Sequence, residues 1–130
     1  MPDLTVQQAD ELANQALSLK VAAGEFRNHF FDVLTPEQRD GLRTLATELG
    51  DEVDHLTAVA IKLSLADLQG TMANLRDITS GVNNVIAHMG DVRKVITVAT
   101  ALVGLGAAVA SASPGALLSA LKDTVTSIKE

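Results

Sequence analysis

Glu52 and His55 are the residues of this sequence whose types and spacing come nearest to a chemical site. Residues three apart on a helix share one face, so this carboxylate and this imidazole could bind one metal ion together. Helical di-metal proteins use two Glu-x-x-His pairs and two further glutamates. This sequence contains one such pair, so Glu52 and His55 are a metal candidate without the remaining ligands. We predict no metal site and no cofactor.

Glu52 has a second interpretation, as a polar residue that fixes helix register. It stands where the apolar pattern of its helix calls for a hydrophobic side chain, and buried polar residues at such positions set register. In an antiparallel hairpin that turns at residues 34–36, the numbers of contacting residues sum to about 70. This geometry predicts that Lys20 and Glu52 form a buried polar pair.

No other residues suggest catalysis. The chain has no cysteine, which excludes disulfides, thiolate catalysis and thiolate metal sites. His29 and His88 have no Ser or Asp partner at a triad-like spacing. The glycines at 104 and 106 follow no strand and precede no Lys-Ser or Lys-Thr, so they do not form a phosphate loop. We predict no catalytic residue and no enzymatic activity.

Charge and composition limit the classes of partner that this chain can bind. The 130 residues include 10 Lys+Arg and 16 Asp+Glu, a net charge of -6. An acidic chain without a basic patch argues against nucleic acid and against anionic lipid headgroups. Three Phe, no Trp and no Tyr mean that Leu, Val, Ile and Ala must form the core, which suits closely packed helices. The first residues do not resemble a cleavable signal peptide, so we expect cytoplasmic synthesis, and membrane association or export without a leader stays open.

The helical elements are marked by capping signals and heptad spacing. Thr5 with Gln8, and Thr35 with Gln38, have the pattern of capping boxes, and Pro36 suits the first position of a helix. Apolar residues recur in steps of three and four over most of the chain. The sequence predicts an all-α fold of long antiparallel heptad-patterned helices with a short C-terminal helix; their bounds are about 5–34, 36–69, 71–112 and 116–128. Gly70 is the expected break, and a helix continuous through it is the alternative.

We expect one helical domain over residues 1–130. Within it, residues 1–70 would form an amphipathic hairpin, and residues 71–130 a helix that runs into an apolar segment at 95–121. No residue between Lys94 and Lys122 carries a charge. If the heptad pattern of the third helix continues through Ile96 and Val103, a second apolar face is left over. We predict that this face is an interaction or membrane surface; it comprises Val95, Val98, Leu102, Leu105 and Val109.

Small residues follow another side of the same segment and predict a face for close helix packing; they are Thr97, Ala101, Gly104 and Ala108. These features favour a non-enzymatic helical assembly or interaction protein that self-associates or binds a helical partner through its apolar C-terminal half. The alternative is a membrane-active protein. The pattern over residues 72–121 resembles that of helical pore-forming toxins, which implies insertion of residues 95–121 into a bilayer.

Overall fold

The computed structural model describes residues 5–50, 60–88, 91–111 and 113–129, and these residues form helices joined by turns, without strands. The predicted all-α class, with long helices and a short C-terminal one, is confirmed. The helices within these residues are α1 (Val6–His29), α2 (Pro36–Gly50), α3 (Leu65–His88), α4 (Val92–Ser111) and α5 (Pro114–Lys129).

Both predicted capping boxes are present. The Thr5 hydroxyl accepts the Gln8 amide at 3.0 Å, and the Gln8 side chain accepts the Thr5 amide at 3.0 Å. Thr35 and Gln38 make the same pair of bonds at 3.1 and 2.9 Å. Each box satisfies two amides that have no partner within the helix, which explains why α1 and α2 begin where they do.

The predicted helix end at Gly70 is wrong, because α3 begins at Leu65 and continues through Gly70. The Ser64 hydroxyl accepts the Asp67 amide at 3.1 Å and caps the first turn. Thr71, the first residue of the predicted third helix, is instead buried within α3, where its hydroxyl donates to the Asp67 carbonyl at 2.8 Å. The alternative, a helix that continues through Gly70, is what α3 shows.

The predicted helix over 71–112 is two helices, α3 and α4. The Asp91 carboxylate accepts the Arg93 amide at 2.6 Å and the Lys94 amide at 3.4 Å, so Asp91 caps the start of α4. This restart changes which side of the helix faces the core. The predicted heptad residues Val92 and Ile96 are 57% and 41% exposed.

The helices form a ring of principal contacts in the order α1, α2, α4, α5, α3 and back to α1. Contacts between α1 and α3, and between α2 and α4, join the predicted N-terminal hairpin to the rest of the chain. Every helix contributes to the core inside this ring. The largest fully buried side chains are Phe26, Leu12, Leu19, Leu42, Leu45, Leu49, Leu75, Ile78, Leu102, Leu105 and Leu117.

The α2–α4 contact is close because a glycine on each helix lets the other approach. A Cβ added at Gly106 would lie 3.1 Å from the Leu45 Cβ and 3.2 Å from its Cα. Gly41 receives the Val103 side chain in the same way. Since Gly41 contacts Val103 and Leu45 contacts Gly106, the two helices run parallel. This contact also fixes the rotation of α4 about its axis in the bundle.

Candidate interaction surface

The predicted interaction face of α4 lies in the core. Val95 and Val109 are 1% exposed, and Val98, Leu102 and Leu105 are 0% exposed. The prediction of an uncovered apolar face is therefore wrong for this folded state. It assumed one heptad phase from residue 78 to 110, whereas α4 restarts at Asp91 and packs between α2 and α5.

The small-residue face of α4 lines a groove. All four predicted residues, Thr97, Ala101, Gly104 and Ala108, lie along the α4 wall of a groove of ≈ 720 Å³ between α4 and α5. The α5 wall consists of small and hydroxyl-bearing residues and one carboxylate; they are Ala116, Ser119, Ala120, Asp123, Thr124 and Ser127. The structure thus brings together the residues that the sequence grouped by spacing alone.

The groove is almost uncharged and partly open to solvent. Among the described residues that line it, Asp123 alone carries a charge. Thr97, Thr100 and Gly104 are exposed along its α4 wall, and Ile96 is 41% exposed at one end. A Cβ at Gly104 would meet nothing within 4 Å. The exposed α4 wall from Thr97 to Gly104 therefore carries no charge and no bulky side chain.

Two polar contacts cross from α4 to α5 beside this groove. The Lys94 ammonium donates to the carbonyls of Ser127 and Ile128, at 3.0 and 2.6 Å. The buried Thr124 hydroxyl lies 3.3 Å from the Ala101 carbonyl. Sequence reasoning missed the role of Lys94. The available signal was its position as the last cation before the uncharged stretch.

The remaining predicted site residues are only partly covered by the structure. Glu52 and His55 lie outside the described residues, so the metal candidate and the Lys20–Glu52 pair stay predictions. Lys20 is half-buried on α1. No cluster of three or more potential metal ligands occurs within the described part of the chain.

The composition of α4 also fits a bilayer. Within the described residues it is the one helix that is long and apolar enough to cross a membrane, with a mean hydropathy of 1.7 over its most apolar window. Of that window, 44% is buried inside the bundle. The core helix of a soluble bundle has the same length and composition, so hydropathy does not decide between the two environments.

Comparison with protein-family models, curated proteins and solved structures found no match to this chain. The groove and α4 are therefore the features of the molecule that indicate a function.

Proposed function

We propose that this protein is a non-enzymatic helical interaction protein that self-associates through the groove between α4 and α5. The observation that supports this proposal is the groove itself, a volume of ≈ 720 Å³ with mostly small residues on each wall and one charged lining residue. A solvent-facing helix pair ordinarily presents charged and long polar side chains to water. Here the solvent side of α4 carries no charge from Val95 to Ser111.

A second copy of the chain is the occupant that best fits this surface. An uncharged helix face without bulky side chains can approach another helix closely, and the exposed side of α4 is such a face. In a two-fold dimer the same patch serves both subunits, so one self-compatible surface is sufficient. The groove and the exposed α4 residues form one such continuous patch.

Gly104→Glu tests the proposal with little risk to the fold. Because a side chain at this position has open space, the variant should fold while placing bulk and charge in the groove. Gly70→Glu is the matched control, since Gly70 is also an exposed helical glycine with nothing within 4 Å of its Cβ position. Light scattering over a range of protein concentrations should show a dimer or larger species for the native chain and for Gly70→Glu. The Gly104→Glu association should be at least about tenfold weaker.

Two results would contradict self-association through the groove. One is a native chain that stays monomeric up to millimolar concentration. The other is equal association of the Gly104→Glu and Gly70→Glu variants, which would place the contact elsewhere on the molecule.

The length and hydropathy of α4 support a membrane-active form as the second candidate function. Since the chain has a net charge of -6, binding would have to be apolar and should not need anionic lipid. Flotation with neutral phosphatidylcholine vesicles tests this candidate. The protein should rise with the vesicles in low and in high salt, and protein that remains with the lipid-free fractions in both would exclude it.

A further inference from the structure

The last turn of α5 is held by Lys94 of α4. The ammonium group donates to two successive carbonyls of that turn, those of Ser127 and Ile128. The last carbonyls of a helix lack partners within it and carry the negative end of the helix dipole. The half-buried Lys94 ammonium gives two of these carbonyls a hydrogen-bond donor and places a positive charge at the negative end of the dipole. This contact joins residues more than thirty positions apart.

The other polar contact between these helices is weaker. The Thr124 hydroxyl has one proton and two carbonyls in reach, Ala120 in its own helix at 2.7 Å and Ala101 in α4 at 3.3 Å. The shorter bond within α5 is the better one. Thr124 therefore adds little to the attachment of α5, and Lys94 provides the main polar contact.

Ile128 places the same turn against α3. A Cβ at Gly81 would collide with the Ile128 side chain, so Ile128 fills the space that the glycine leaves. The carbonyl of Ile128 is bound by Lys94 while its side chain contacts Gly81. The last turn of α5 thus depends on α4 through a hydrogen bond and on α3 through packing.

Elsewhere α5 is only lightly buried. Three of its 16 residues are buried, Leu117, Leu121 and Thr124, against six of the 24 residues of α1. The open groove lies next to these residues, so part of the α5 surface that faces α4 is open to solvent. Helices with few buried apolar residues open locally at lower free energy than the rest of a fold.

We infer that α5 is a releasable cover on α4 and that the Lys94 contact with Ser127 and Ile128 controls its release. When α5 moves away, the α4 side that includes Leu105 and Ala108 becomes accessible. This goes beyond the proposed function, because it concerns the chain alone and does not depend on what α4 then meets.

Lys94→Met tests this inference, because it keeps the aliphatic chain and removes the three donors. Arg93→Met is the matched control, with the same loss of charge at the adjacent, exposed position. Hydrogen exchange should be measured by mass spectrometry at a concentration where the chain is monomeric. In Lys94→Met the α5 amides should exchange about tenfold faster than in the native chain, as expected for loss of charged hydrogen bonds, while α1 and α2 stay unchanged.

Lys94→Arg should keep α5 protection close to native, since guanidinium also donates to helix-terminal carbonyls. Three results would overturn the inference: unchanged α5 exchange in Lys94→Met, an equal increase in all helices, or the same increase in Arg93→Met. Because exchange is measured on the monomer, failure of self-association leaves this test intact.

Discussion

At the scale of single residues, two glycines that lie two positions apart, on opposite sides of α4, should respond oppositely to the same substitution. Gly106→Ala places a methyl group within 3.1–3.3 Å of Leu45, partly against its backbone. Gly104→Ala places it in open space. Alanine favours a helix over glycine by up to about 1 kcal/mol, but overpacking costs about 1–3 kcal/mol.

We expect Gly104→Ala to raise the free energy of unfolding and Gly106→Ala to lower it by about 1–2 kcal/mol. Urea unfolding followed by circular dichroism measures both, provided that the slope with denaturant is unchanged. A Gly106→Ala variant as stable as Gly104→Ala would show that α2 and α4 are not in close contact.

The phenylalanines near the first turn divide into buried and exposed members. Phe30 is 7% exposed, and its ring centroid lies 4.9 Å from that of Phe26. Phe31 is 41% exposed, and the Arg39 guanidinium carbon lies over its ring, 4.2 Å from the Phe31 ring centroid. Phe30→Ala should reduce the free energy of unfolding by about 3–5 kcal/mol, and Phe31→Ala by about 1 kcal/mol. Equal losses would contradict this division.

At the scale of helices, the start of α4 depends on one cap. Asp91→Ala removes the acceptor for the Arg93 and Lys94 amides and should cost about 0.5–2 kcal/mol of stability. Asp77→Ala, on the exposed side of α3, is the control and should change stability by less than about 0.5 kcal/mol. Thermal unfolding compares the two variants. A loss in the control as large as that in Asp91→Ala would mean that net charge, and not capping, is responsible.

The sequence predicted the helices better than it predicted their ends. The capping boxes at Thr5 and Thr35 and the apolar spacing identified α1 and the start of α2, because those signals are local. The break at Asp91 was missed because apolar residues continue in steps of three and four across it. In the sequence, Gly90 followed by Asp91 is a helix-stop signal followed by an N-cap signal, and it predicts the break between α3 and α4. Ser64 with Asp67 is a second capping signal, and it predicts the start of α3.

The orientation of α4 could not be predicted locally. This segment is apolar on nearly every side, so its spacing permits several faces to be buried. The choice is made by packing with α2, where Gly106 and Leu45 meet, and with α5. The residues of the small-residue face lie together because their spacing puts them on one side of the helix, but that they pack closely against another helix stays a prediction.

For the molecule as a whole, substitutions at two adjacent residues of α4 should distinguish loss of folding from loss of self-association. Val98 is fully buried and Thr97 is exposed in the groove. Val98→Asp should unfold the bundle, since an unpaired carboxylate in an apolar core costs several kcal/mol. Thr97→Asp should remain folded and, if the groove is the contact surface, weaken self-association. Circular dichroism and light scattering provide the two measurements.

A Val98→Asp variant that keeps its native helix content and loses only self-association would contradict the burial of Val98 in the core. It would return Val98 to an intermolecular surface, as the sequence alone suggested. Loss of helix content in Thr97→Asp would equally contradict the position of the groove.

The ring of helices has a consequence for the order of folding. Among the described helices, two pairs are consecutive in the chain and also make principal contacts with each other: α1 with α2, and α4 with α5. Pairs joined by short connections close early, because little chain entropy is lost. The contacts of α3 with α1 and with α5 require much longer loops. Two hairpins should therefore form in a first phase of refolding, and the insertion of α3 between them should be the slower second phase. Stopped-flow refolding should show that substitutions at Ile78 slow this second phase, whereas substitutions at Phe30 change mainly the first.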